Sequence, residues 1–203
     1  MKIAVNETEH SRRADLLKTA ALLFAETGFD KTTMRQIAGA AGIQAASLYH
    51  HFKTKDDILD AIIRDFLLHL PGAYTRIIAA RKDPKQIIHD FAALALRTAI
   101  ENRMVLAIVI RERKMLAGRP EFAYVEAAFR EIEAIWLGVL EEGVAQGVFR
   151  SDVNLQVVLR MILDLVGSVV EWYRPGSRRY SAEDVVRTEL RFIFGGISAG
   201  PSS

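Results

Sequence analysis

Apolar residues recur with a helical period through nearly the whole chain, and glycine, proline and capping residues cut that pattern into segments. The first periodic run starts at Ser11, a cap, and reaches Thr27. Leu16, Leu17, Ala20, Ala21, Leu23 and Phe24 form its wide apolar face, and Gly28 closes it. Residues Met1 to His10 have no periodicity and read as a mobile arm. Between Thr32 and Phe52 two short helices are predicted. Thr32 or Thr33 caps the first, Ile37 and Ala38 supply its buried side, Gly42 permits the reversal, and the second covers Gln44 to His51. This is the spacing of a helix-turn-helix. Thr54 then caps a helix carrying Ile58, Leu59, Ile62, Phe66, Leu67 and Leu70, which stops or kinks at Pro71.

A short helical piece follows from Pro71 to Lys82, and Asp83-Pro84 starts a helix to near Asn102 with Ile87, Ile88, Phe91, Leu94, Ala95 and Thr98 on one side. Met104 to Leu116 is nearly apolar until Arg111 and is expected to be central to a second domain. A long helix is predicted from Pro120 to Gln146, ended by Gly147, with Phe122, Val125, Phe129, Ile132, Ile135, Trp136, Val139 and Leu140 inward. Asp152 or Asn154 begins another, reaching to near Tyr173. Arg174-Pro175-Gly176 breaks it, and Ser181 with Asp184 opens the last, Ala182 to near Phe194. These two late helices are apolar on more than one face, so the second face is expected to meet another copy of the chain. With no strand pattern, the fold expected is all-α. An N-terminal three-helix DNA-binding head, residues 1–53, precedes a C-terminal helical ligand-binding and dimerisation domain, residues 54–198.

Composition narrows the chemistry. The 203 residues include no cysteine, which excludes disulfides, thiolate metal sites and a cysteine nucleophile. Half are hydrophobic and five are proline, enough apolar material for a core and little sign of disorder. No secretory h-region follows Met1 and no long uncharged apolar run occurs, which implies a soluble cytoplasmic protein without a membrane partner. The five histidines, His10, His50, His51, His69 and His89, have no metal-ligand spacing, and no nucleophile elbow or phosphate loop is present. The reading is therefore not an enzyme, with no metal and no cofactor. A net charge of +2 is a weak nucleic-acid footprint, so placement has to carry the DNA argument. Arg35, His50, Lys53 and Lys55 cluster near the second motif helix, while Asp56, Asp57 and Asp60 favour the dipole of the helix they start.

The order of a helix-turn-helix, then Ser47-Leu48-Tyr49-His50-His51-Phe52, then Lys53-Thr54-Lys55-Asp56 opening another helix resembles the DNA-binding domain of TetR-family transcriptional repressors. The resemblance implies a homodimer on double-stranded palindromic DNA, released by a small hydrophobic effector. It also implies roles. Thr33 looks like a cap and phosphate contact, and Arg35 would lie beside the groove. Ser47, Tyr49 and His50 resemble recognition-helix contacts, and Lys55 resembles a phosphate contact. Gln44 stands where the family usually has Ser or Thr, and Ala45 where Lys is common. The cap is then poorer, one basic contact is missing, and Gln44 is left to read an adenine edge. Leu48 and Phe52 are core anchors. A connecting helix after Phe52 would carry a shift in the second domain to the head.

Trp172-Tyr173-Arg174-Pro175-Gly176 before a capped final helix, with Arg113-Lys114 through Phe122-Ala123-Tyr124, resembles TetR repressors that sense acyl-CoA thioesters, including the branch controlling sterol-ring breakdown. An effector cavity is expected among the helices of Phe91, Met104, Trp136 and Gly167, with Arg97, Arg111 or Glu171 as polar anchors. Phe91 and Trp136 at helical spacing also read as plain core. The inward Leu163 and Gly167 are small or uncharged where the resemblance to sterol-CoA sensors implies a basic and an aromatic group. The residues alone leave a second reading open, a helical small-molecule-binding protein whose amino-terminal motif is structural and binds no DNA under regulation.

Overall fold

The structure is a computed structural model that describes the backbone of residues 3–80, 83–176 and 179–199, with side chains from Arg12 onward. Among the described residues the chain is all-α. Its helices are α1 (Ile3–Thr27), α2 (Met34–Ala40), α3 (Ala45–His51), α4 (Lys55–Leu67), α5 (Leu70–Ala80), α6 (Pro84–Glu101), α7 (Arg103–Ala117), α8 (Ala123–Ala145), α9 (Leu155–Trp172) and α10 (Ala182–Ile197). A 3₁₀ turn, Pro120–Phe122, leads into α8, and one β-bridge joins Phe149 to Ser198.

Local chemistry sets most boundaries. Thr33, Thr54 and Ser181 each close a capping box with Gln36, Asp57 and Asp184, and Asp83 and Asn154 cap α6 and α9 with their side chains. Pro71 falls in the first turn of α5, where its missing N–H is harmless. Several boundaries differ from expectation: α4 ends at Leu67 and Leu70 opens α5 ahead of Pro71, and α8 starts at Ala123 after the Pro120–Phe122 turn. Ser11 lies inside α1, which starts at Ile3, because no glycine or proline interrupts Ile3 to Arg13 and Ala4, Glu7 and Glu9 propagate a helix well. Met1 and Lys2 of the expected arm lie outside the described residues, as does Lys82. At the other end α10 runs past Phe194, through Gly195-Gly196, to Ile197.

Two apolar clusters hold the helices together. One gathers Phe24, Ile37, Leu48, Ile58, Leu59 and Ile63 of α1 to α4 with Ile108 and Leu116 of α7, Phe122, and Val125 of α8. The other centres on Ile88, Phe91, Leu96, Trp136, Leu140 and Val169 of α6, α8 and α9, closed by Val186 and Ile193 of α10. Each fully buried large side chain contributes about 1.5–3 kcal/mol relative to exposure. α7 is shared: it packs on α1 and α4 on one side and on α6, α8 and α9 on the other. The stretch expected to be central to the second domain therefore supports the head as well.

Candidate DNA interface and effector cavity

The helix-turn-helix is built around a few buried side chains. Leu48 and Ile37 are fully buried and Phe52 nearly so, with the Arg13 guanidinium 5.0 Å from the Phe52 ring centroid. Gly42 has φ +66°, a conformation that suits glycine, and places the Ile43 N–H on the Ala38 carbonyl at 3.0 Å. With Leu48 turned inward, Ala46, Ser47, Tyr49 and His50 are left exposed on α3, and Tyr49 retains 52% of its surface. His51 is half-buried. Thr33 and Arg35 are exposed on α2, as are Gln44 and Lys53. The Thr33 hydroxyl accepts from the Gln36 N–H at 3.3 Å. Gln44 is the N-cap of α3 but makes no side-chain cap hydrogen bond, in line with the poorer cap expected there.

Lys55 is placed differently from a simple phosphate contact. Its Nζ donates to the carbonyls of Phe29 at 2.9 Å, Asp30 at 3.2 Å and Thr32 at 3.4 Å, and lies 4.3 Å from the Phe29 ring centroid. The cation thus clamps the loop that ends α1 against the start of α4, because that loop presents three carbonyls to an ammonium with three protons.

A cavity of about 470 Å³ is lined from α4, α5, α6, α7, α8 and α9. Leu163, Gly167 and Glu171 line it as expected, Gly167 leaving room where an added Cβ would lie 3.6 Å from Ile110 Cδ1. The other expected lining residues do not. Phe91 and Trp136 are fully buried behind the wall and meet Tyr74 edge-on, at 4.8 and 5.8 Å between ring centroids, so they are core. Arg97 is exposed on α6 and Met104 is 36% exposed on α7, both away from the lining. Arg111 points to the opposite side of α7, where it donates to the backbone oxygens of Phe24 and Ala25. The arginine on the cavity side of α7 is Arg113, joined by Arg160 of α9. Its signal was present in the spacing Leu106, Val109, Ile110, Arg113, one face of a helix, from which Arg111 departs by about 200°.

The amino-terminal residues 16–62 match the model for bacterial regulatory proteins of the tetR family, and residues 81–197 match the tetracyclin repressor-like C-terminal domain. The chain belongs to the TetR family of transcriptional repressors. It is 40% identical over 189 residues to the HTH-type transcriptional repressor KstR2 of Mycolicibacterium smegmatis, covering 93% of this chain and 91% of that one. The structure of the ketosteroid transcriptional regulator KstR2 of Mycobacterium tuberculosis superposes with a TM-score of 0.89 at 34% identity, over 93% of this chain and 96% of that one. A structure of AibR in complex with isovaleryl coenzyme A and operator DNA shares the fold, with a TM-score of 0.78 at 20% identity, over 91% and 99% of the two chains.

In this TetR repressor α7 joins the two sites. Residues Arg111 and Glu112 face the head: Arg111 holds the carbonyl end of α1, where the helix dipole favours a cation, and Glu112 accepts from the Phe29 N–H at 3.5 Å. Arg113, the next residue, faces the cavity and makes a two-pronged pair with Glu126 of α8 at 2.8 and 3.2 Å. That pair holds the Glu126 carboxyl below its ordinary range, and it raises the guanidinium, with Glu133 and Asp164 adding to the effect. Further ties run from Arg119 to Asp56 at the start of α4 and from Arg64 onto the Tyr124 ring at 4.2 Å. No helix among the described residues is long and apolar enough to cross a membrane.

Proposed function

We propose that the repressor binds a palindromic operator as a homodimer through α3, and that a small hydrophobic effector in the 470 Å³ cavity releases it. The head, residues 1–53, does the reading, and residues 54–198 hold the effector and the partner. The observation that carries the DNA half is the outer surface of α3, away from buried Leu48, where Ser47, Tyr49 and His50 stand exposed, as do Thr33, Arg35 and Gln44. Small leading residues fit a major groove, and hydroxyl and imidazole groups reach phosphates. Lys55 acts by fixing the α1–α2 loop that leads to Thr33 and to the first turn of α2, which carries Arg35, and this supports a positioning role for it. In the dimer the two copies of α3 must lie about 34–36 Å apart to enter successive grooves.

DNA from beside the gene encoding the repressor is the substrate for the test. Binding is expected to be sequence-selective and to weaken steeply with salt. Tyr49→Ala should weaken it at least tenfold with fold and dimer intact; if instead the variant unfolds and the native protein ignores that DNA, the motif is structural.

For the effector, the acyl-CoA thioester is the class supported by the sequence resemblance and by the isovaleryl coenzyme A bound to AibR. The KstR2 relatives support a ketosteroid-type body. Leu163 and Gly167 leave an apolar, open stretch in the α9 wall between Arg160, Asp164 and Glu171, which suits a bulky apolar group. A thermal-shift panel of acyl-CoAs, fatty acids and sterol derivatives tests this, and silence from every class would remove the effector from the reading while leaving repression.

A further inference from the structure

Tyr74 connects the cavity with the core behind it. It lines the cavity with only 3% of its surface exposed, and its ring packs edge-on against Phe91 and Trp136, which are fully buried. Two hydrogen-bonding capacities in this cluster are unused. The Trp136 indole N–H faces the Tyr74 hydroxyl but meets no acceptor at hydrogen-bonding geometry. The Tyr74 hydroxyl donates to no protein group among the described residues, and it opens onto the cavity and so is not among the fully buried unpaired atoms. A buried polar group left without a partner is costly, and folded chains keep few of them. Phenylalanine would fill the same space at Tyr74 without a hydroxyl, so the polar pair needs a reason beyond packing.

An acceptor entering the cavity beside Tyr74 completes both groups. The phenol donates to it, and the oxygen so polarised becomes a better acceptor for the indole N–H, since linked hydrogen bonds strengthen one another. The acceptor has to be uncharged. The cavity's two arginines are already paired, Arg113 with Glu126 and Arg160 with Asp164, and a carboxylate placed against Tyr74 would be buried among apolar side chains without a cation. We propose that Tyr74 is an effector-binding residue that recognises an uncharged carbonyl oxygen on the apolar body of the effector, with Trp136 supporting it from behind. This rests on the reading that the cavity is the effector site. Burial pushes the Tyr74 hydroxyl up to about 12, which keeps it a proton donor throughout the physiological range.

The test uses two probes of one shape, trans-2-decalone and its 2-methylene analogue, in which a C=CH₂ group replaces the carbonyl. The full-length protein, labelled with ¹⁵N at its two tryptophans, gives two indole N–H resonances, and Trp172→Phe identifies the one from Trp136. The ketone is expected to move the Trp136 indole proton downfield and to bind at least tenfold tighter than the methylene analogue. Tyr74→Phe should abolish that preference while keeping the affinity for the analogue and the native melting temperature. Equal binding of the two probes to the native protein overturns the inference alone, as does a Trp136 resonance unmoved by saturating ketone. If neither probe moves any resonance, the effector reading of the cavity falls with it.

Discussion

Glu189 on α10 is 7% exposed and neither of its carboxylate oxygens has a hydrogen-bond partner. Burial pushes it up from 4.5 to about 7, so the folded chain keeps a proton that the unfolded chain gives up in the ordinary carboxyl range. A folded-state pKa above the unfolded one gives stability that is complete below the unfolded value and is lost as pH climbs through the folded value. Stability should therefore fall between pH 4.5 and about 7 and stay lower above that. Glu189→Gln keeps the shape and removes the titration. It is expected to raise the melting temperature at pH 8, by on the order of 2 kcal/mol in stability, and to flatten the slope in that window. An unchanged slope in thermal melts across that range would assign it to another group. Arg111 and Arg113 show where residue-level reading stops. Both are arginines near the apolar end of one run; helical spacing sets them on different faces, and the packing partners of α7 decide which face turns to the cavity and which to α1. Lys55 is similar: its spacing after Phe52 was legible, but the three carbonyls that hold it come from a loop more than twenty residues upstream.

At the level of elements, α7 has two faces with different work. If it transmits effector occupancy to the head, cutting its hold on α1 should uncouple the two sites. Arg111→Ala is expected to lower stability only modestly, about 1 kcal/mol for a partly exposed cation at a helix end. The same change should reduce the effector-induced drop in operator affinity at least fivefold, the lower bound of ordinary coupling energies. Operator titrations with and without saturating effector measure this, and undiminished coupling would exclude the Arg111 tie as the route. Helix boundaries were readable from sequence because caps are local. Thr33, Thr54, Asp83, Asn154 and Ser181 each act on an N–H within three residues, and Gly28 and Gly42 supply positive φ where the chain turns. The start of α1 was not readable, since a helix without a breaker has no local signal for its end. Phe91 and Trp136 were ambiguous for another reason: period shows which side of a helix is apolar, and cannot separate a cavity wall from the core behind it.

Across the whole molecule, α9 and α10 keep an apolar surface that the single chain leaves uncovered. Val157 is 55% exposed, Met161 64% and Phe192 74%, and the first two lie one turn apart on α9. A second copy is the partner expected there, and Phe192→Asp should then yield monomers at micromolar concentration with operator affinity lost in parallel. Sedimentation velocity decides it, and a variant that stays dimeric would move the interface elsewhere. The arrangement has a consequence for how such a regulator diversifies. α9 supplies Leu163 and Gly167 to the cavity and packs on α6, α7, α8 and α10, whereas the proposed operator contacts lie on α2 and α3. Substitutions at 163 and 167 can thus retune what is sensed while the promoter address stays the same. The same separation makes these two positions the natural ones to randomise when converting the protein into a biosensor that keeps its reporter.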